Sequence, residues 1–99
     1  MILVRDVFRL KFGQARQAVA VWQEGKKIME PLMKGHSPRI MTDLVGPFYT
    51  LVFETTHKNL HDYEELMKAG MANEDWKKWY GKLVPFVESG HREIFNVVE

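Results

Sequence analysis

An α+β fold in the order strand, helix, hairpin, helix, strand follows from three features of the sequence. Ile2 to Phe12 alternates apolar and polar residues with period two. Two longer stretches, within Gln14–Met33 and Asn59–Val87, repeat apolar residues at spacings of three and four. Between them, Thr42 to Glu54 holds two apolar runs bent at Gly46–Pro47. Period two is the strand signal and period 3.6 the helix signal. The resulting order βαββαβ predicts a ferredoxin-like domain over 1–99, a four-stranded antiparallel sheet with two helices on one face.

Each element has its own warrant. In strand one, Ile2, Val4, Phe8, Leu10 and Phe12 share a face with Asp6, and Gly13 ends the run. Helix one, about Gln14 to Met33, sets Ala15, Ala18, Val19, Trp22, Met29, Leu32 and Met33 on one side. Gly25 weakens its middle, Pro31 kinks it or starts a last turn, and Gly35 is positioned as a C-cap. Strand two covers about Arg39 to Val45 and strand three about Phe48 to Thr55, with Pro47 confined to the turn because it cannot donate to a ladder. Helix two starts at Asn59, where Asn59 and Asp62 form a variant capping box. It breaks at Gly70–Met71–Ala72 and restarts at a second N-cap, Asn73, followed by Glu74 and Asp75. Trp76, Trp79, Tyr80, Leu83, Phe86 and Val87 continue the helical spacing, Pro85 kinks or restarts it, and Ser89–Gly90 ends it. Strand four is placed at about Arg92 to Val98.

Strand three is apolar on both faces, with Tyr49, Leu51 and Phe53 on one and Phe48 and Val52 on the other. Only one set meets the helices. The other predicts an exposed apolar patch, of the kind that marks a partner surface, and a two-fold homodimer through the open sheet face covers it with itself.

Composition narrows the function classes. The 99 residues carry a net charge of +1 with both signs interspersed, which argues against nucleic-acid or anionic-membrane binding. No cysteine is present, so disulfides, thiolate metal sites and cysteine nucleophiles are excluded. Charge follows Met1 closely, unlike a signal peptide, and no apolar run approaches the ~20 residues of a membrane span. A cytoplasmic location is expected. The Phe48–Phe53 run resembles the RNA-stacking strand of RRM domains, but Gly46–Pro47 precedes it in place of a basic-Gly start, and a basic footprint is lacking.

The strand Val7–Gln14, with Arg5 before it, resembles the opening strand of NIPSNAP-like proteins, where a similar strand ends in Lys-Pro-Gly-Lys; here Phe12 and Gln14 take two of those places. The Thr42–Glu54 hairpin resembles that family's Gly-Pro-turned hairpin with a carboxylate closing its third strand. Asn73–Trp79 resembles its Pro-Glu-Trp helix start, and Val84–Pro85–Phe86 its apolar Pro-containing helix end. The resemblance spans essentially the whole chain. It implies the dimeric α+β-barrel superfamily, in which two ferredoxin-like domains pack sheet to sheet. That group includes cofactor-independent monooxygenases, haem-degrading enzymes, isomerases and lyases, so fold and activity are separable.

Several residues admit both a functional and a structural reading. Asp6 lies on an otherwise apolar face; it is either a desolvated acid–base group or an ion-pair partner. Arg5, Arg9 and Lys11 form a basic row. Arg9 suits an anionic ligand at a dimer cleft, or the row is salt-bridged to Glu93 or Glu99. Trp22, Tyr49, Phe53, Trp76, Trp79 and Tyr80 either line a pocket for a small apolar or aromatic ligand or fill the core. His91 is either a general base at a pocket mouth or a solvated histidine. His57 and His61 have the four-residue spacing of a helical metal pair, but the cap at Asn59 places His57 outside the helix and no third ligand is evident; His36 and His91 join only in space. No metal and no cofactor is therefore expected. The leading reading is a small-molecule-binding homodimer. The alternatives are a cofactor-independent monooxygenase or isomerase using Asp6 or His91, and an interaction module without a ligand.

Overall fold

The computed structural model describes residues 1–98. Its elements are β1 (Ile2–Leu10), α1 (Ala15–Met33), β2 (Arg39–Thr42), β3 (Thr50–His57), α2 (Leu60–Met71), α3 (Glu74–Leu83) and β4 (Val87–Asn96). The strands form one sheet in the order β2-β3-β1-β4, with every neighbouring pair antiparallel. This is the ferredoxin-like α+β arrangement, with the second helical arm split in two at the break near Gly70.

The alternation of β1 resolves as expected as far as Leu10, with Val4 and Leu10 buried and Phe8 packed on the core, but the strand ends there and Phe12 is exposed. Along α1, Ala18, Trp22, Gly25 and Met29 form the buried stripe. Trp22 is the hub, with ring centroids 5.0 Å from Phe53, 4.9 Å from Trp79 and 5.6 Å from Phe8. Such aromatic contacts each add about 0.5–1.5 kcal/mol beyond area burial. Gly25 has a packing reason: a Cβ there would overlap the Trp79 indole. That indole also donates from Nε1 to the Val21 carbonyl at 2.5 Å. Trp79 is thus pinned into a notch of α1, and α3 is held with it.

Both asparagine caps form. The Asn59 side chain accepts from the Asp62 N–H at 2.9 Å, while Asp62 Oδ2 accepts from the Lys58 N–H at 3.2 Å. The Asn73 side chain accepts from the Trp76 N–H at 3.1 Å. At the end of α1, Gly35 takes φ +86°, the left-handed conformation that follows many helices.

Three further boundaries differ from expectation. β2 stops at Thr42 and β3 starts at Thr50, because Asp43 Oδ1 accepts from the Thr50 N–H at 2.8 Å and closes a wider connection than a tight Gly-Pro turn. Phe48 therefore lies in that connection, 60 % exposed, and not on the open face of β3. The third difference is largest: α3 ends at Leu83, a 3-10 turn follows over Val84–Phe86, and Ser89–Gly90 lie inside β4. Pro85 lacks the N–H that would continue the helix, and the chain becomes extended at Val87. Gly90 fits the strand because a Cβ there would stand only 3.2 Å from the Val7 carbonyl oxygen and 3.3 Å from the Phe8 ring. A register shift between Arg9 and Leu10 marks a bulge where β4 begins.

Candidate functional site

The sheet face away from the helices is built in rows. Across the strands the register sets Met41, Val52, Val7 and His91 in one row and Arg39, Glu54, Arg5 and Glu93 in the next. A third row carries Thr50, Arg9 and Ser89, and a fourth Thr56, Leu3 and Phe95. The face is therefore mixed and not the continuous apolar patch expected from strand three, since alternate residues of β1 and β4 deliver charge to it.

The charged row is an ion ladder. Arg39 meets Glu54 at 2.9 Å, Glu54 meets Arg5 at 3.1 Å, and Arg5 meets Glu93 at 3.6 Å. His91 Nε2 lies 3.2 Å from Glu93 Oε2 and extends the chain to a fifth group. Arg5 thus does meet Glu93; Glu99 lies outside the described residues. The two arginines and two glutamates balance, so this row presents no net charge to whatever covers it.

At one end of this face a cleft of about 590 Å³ opens between β1, β4 and the β2–β3 connection, lined by Val7, Arg9, Val45, Pro47, Ser89 and His91 among others. One Arg9 nitrogen donates to the Pro47 carbonyl at 3.0 Å, which holds the guanidinium at the cleft. Arg9 and His91, singled out separately in the sequence, are brought together here. With Nε2 on Glu93, His91 keeps Nδ1 for a second partner, the arrangement of an imidazole oriented by a carboxylate.

Asp6 lies on the opposite face, opposite Arg92 in the register. Arg92 Nε donates to its Oδ1 at 2.5 Å, and the same guanidinium lies 5.6 Å from the centroid of the Tyr63 ring. The bond to Asp6 pushes the Arg92 pKa further up, and burial raises that of the Tyr63 phenol. Asp6 and His91 stand on opposite faces of the sheet and do not share a site. Of the aromatic set, Trp22, Phe53 and Trp79 are core, with 2 %, 7 % and 1 % exposure. Trp76 and Tyr49 are half-buried against that core, and Tyr80 is exposed.

A further grouping was not legible in the sequence. His36, from the loop before β2, stacks on His57 at the end of β3 with ring centroids 4.6 Å apart. Asp62, from the first turn of α2, brings its Oδ2 to 3.9 Å from His57 Nδ1. The His57 side chain is fully buried. Burial lowers its pKa, the neighbouring His36 adds to this, and Asp62 opposes it. His61 points elsewhere, toward Glu65.

No family model and no curated protein matches the chain. Solved structures do match. A NIPSNAP family protein from Agrobacterium tumefaciens superposes with a TM-score of 0.89 at 15 % identity, over 99 % of this chain and 86 % of that one. A NIPSNAP domain protein from Burkholderia xenovorans gives 0.87 at 14 % identity, over 99 % and 95 %. An antibiotic biosynthesis monooxygenase gives 0.74 at 12 % identity over the whole of both chains. The NIPSNAP-like resemblance read from the sequence is thus matched in the fold; at these identities the likeness is one of fold. No described helix is long and apolar enough to cross a membrane.

Proposed function

We propose that the chain forms a homodimer by packing two open sheet faces together, and that it binds a small, partly apolar organic anion in the cleft holding Arg9 and His91. The carrying observation is the convergence of these two side chains on one concavity of about 590 Å³, within the ordinary size of a ligand site. Arg9 supplies a guanidinium for a carboxylate or phenolate, and Val7, Val45 and Pro47 supply apolar wall. A second copy fits the open face for a physical reason: the ion ladder is internally neutral, and the Met41–Val52–Val7 row offers apolar area beside it. The space between sheet and helices is taken up by Trp22, Phe53 and Trp79, which favours the other face for the ligand.

His91 supports a second reading, proton transfer by a cofactor-independent monooxygenase or isomerase. The Glu93 carboxylate holds Nε2 and leaves Nδ1 for proton transfer with a substrate. The fold shared with an antibiotic biosynthesis monooxygenase adds to this reading.

Thermal-shift titration with benzoate and 4-hydroxybenzoate tests the binding. A ligand at a hundredfold excess over Kd stabilises the native state by about 2.7 kcal/mol. A rise in Tm that Arg9→Gln abolishes is the expected result. A rise that Arg9→Gln leaves intact moves the ligand elsewhere. With no rise for any of these anions, the ligand reading gives way to a dimeric interaction module.

A further inference from the structure

The geometry points to a second site, independent of the cleft: His36, His57 and Asp62 form a three-ligand site for a first-row divalent cation of the zinc type. Each residue offers one ligand atom, and the three atoms lie within 4.8 Å of one another. Zinc–nitrogen and zinc–oxygen bonds of about 2.0–2.2 Å set tetrahedral ligands roughly 3.3–3.5 Å apart. The His57 Nδ1 to Asp62 Oδ2 separation is 3.9 Å and all three ligand atoms lie within 4.8 Å, so the ion must draw the side chains together by rotation to reach tetrahedral spacing.

Three observations separate this grouping from a chance cluster. First, His57 Nδ1 is buried and has no hydrogen-bond partner among the described residues, on a side chain with no exposed surface. A buried polar atom left unpaired costs about 1–3 kcal/mol, and a cation at this position supplies the missing partner. Second, each histidine has a hydrogen-bond partner able to fix its tautomer, as metal-bound histidines require. His36 Nδ1 lies 2.9 Å from the Thr56 carbonyl oxygen, an acceptor only, so it carries the proton and Nε2 keeps its lone pair. His57 Nε2 lies 2.8 Å from the Thr55 hydroxyl, which can accept a hydrogen bond from Nε2–H in the tautomer that leaves the Nδ1 lone pair for the ion. Third, the positions are fixed by backbone. Thr56 N–H donates to the His36 carbonyl at 2.8 Å and the Thr56 hydroxyl donates to it at 3.2 Å. Asp62 is held by the Lys58 N–H in the cap of α2.

Two imidazoles and one carboxylate suit zinc, cobalt, nickel or copper better than magnesium or calcium. His36 and Asp62 are half-buried, so solvent reaches the fourth position. Three protein ligands with one open position describe an exchangeable or reactive centre and not a closed structural one.

The test uses the untagged full chain, stripped with EDTA and exchanged into chelator-free buffer. Zinc chloride is titrated by calorimetry, and cobalt chloride by its visible d–d absorption. One equivalent per chain is expected, with cobalt bands of a nitrogen- and oxygen-bound ion. His36→Gln and Asp62→Asn should each weaken zinc at least tenfold, while His61→Gln leaves it unchanged. Both test positions are half-buried and Asp62→Asn keeps an acceptor for the Lys58 N–H, so near-ultraviolet circular dichroism should show native packing in both. Absence of zinc binding at millimolar concentration overturns the assignment. So does a zinc affinity unchanged in both His36→Gln and Asp62→Asn.

Discussion

Glu54 on β3 and Arg5 on β1 stand opposite each other in the sheet register and meet at 3.1 Å, with only 9 % of the Glu54 side chain exposed. A carboxylate this covered on a face with no helix over it is unusual. Its shield is the pair of arginines, since Arg39 closes the other side at 2.9 Å. The cost of removing the carboxylate from water is thus offset within the chain itself.

Replacing Glu54 by Gln leaves two arginines with a neutral partner. A loss of about 1–2 kcal/mol is expected, below the full cost of breaking a buried pair because Arg39 is largely exposed. Urea unfolding measures it. A change under about 0.3 kcal/mol would mean that the ladder is a solvated surface feature worth no more than the weaker exposed pairs.

Gly25→Ala sets two effects against each other. Alanine in mid-helix gains up to about 1 kcal/mol over glycine from propensity. The added methyl overlaps the Trp79 ring, which is buried and cannot swing away. Overpacking of this kind costs about 1–3 kcal/mol, so the net sign should be destabilising, with a changed near-ultraviolet signal from displaced tryptophan. A higher Tm for Gly25→Ala contradicts the notch.

Acid should weaken the metal-free fold through His57. Its pKa is lowered in the folded chain from the ordinary 6.5, mainly by burial. The unfolded state therefore binds more protons below that pH. The His57 contribution is fully present above about pH 6.5 and declines as pH falls toward the folded value. An NMR titration of the His57 ring in EDTA should give a midpoint below 6.5, accompanied by a falling urea midpoint. A ring that titrates above 6.5 rules this out.

Much of this fold was legible because local signals and tertiary packing agree. The alternation of β1 as far as Leu10 and the caps at Asn59 and Asn73 formed where their chemistry places them, and the break expected at Gly70–Met71–Ala72 falls at its end, at Ala72–Asn73. Ser89–Gly90 misled because Phe86 and Val87 continue the helical spacing past Pro85, and only the approach of Val7 and Phe8 explains a glycine inside β4. Arg9 and His91 were each readable as candidates, but their convergence depends on the antiparallel register of β1 and β4. The histidine grouping was the least legible. His36 and His57 meet through the bonds between the His36 and Thr56 backbones, and Asp62 reads as a capping residue before it reads as a ligand.

The most direct measurement is sedimentation equilibrium of the untagged chain at micromolar concentration, compared with Val52→Lys, which places a charge at the centre of the open face. The wild-type chain is expected at twice the 11.6 kDa monomer mass and the variant as monomer with native circular dichroism. A wild-type chain that sediments at 11.6 kDa throughout contradicts a homodimer built on this sheet face.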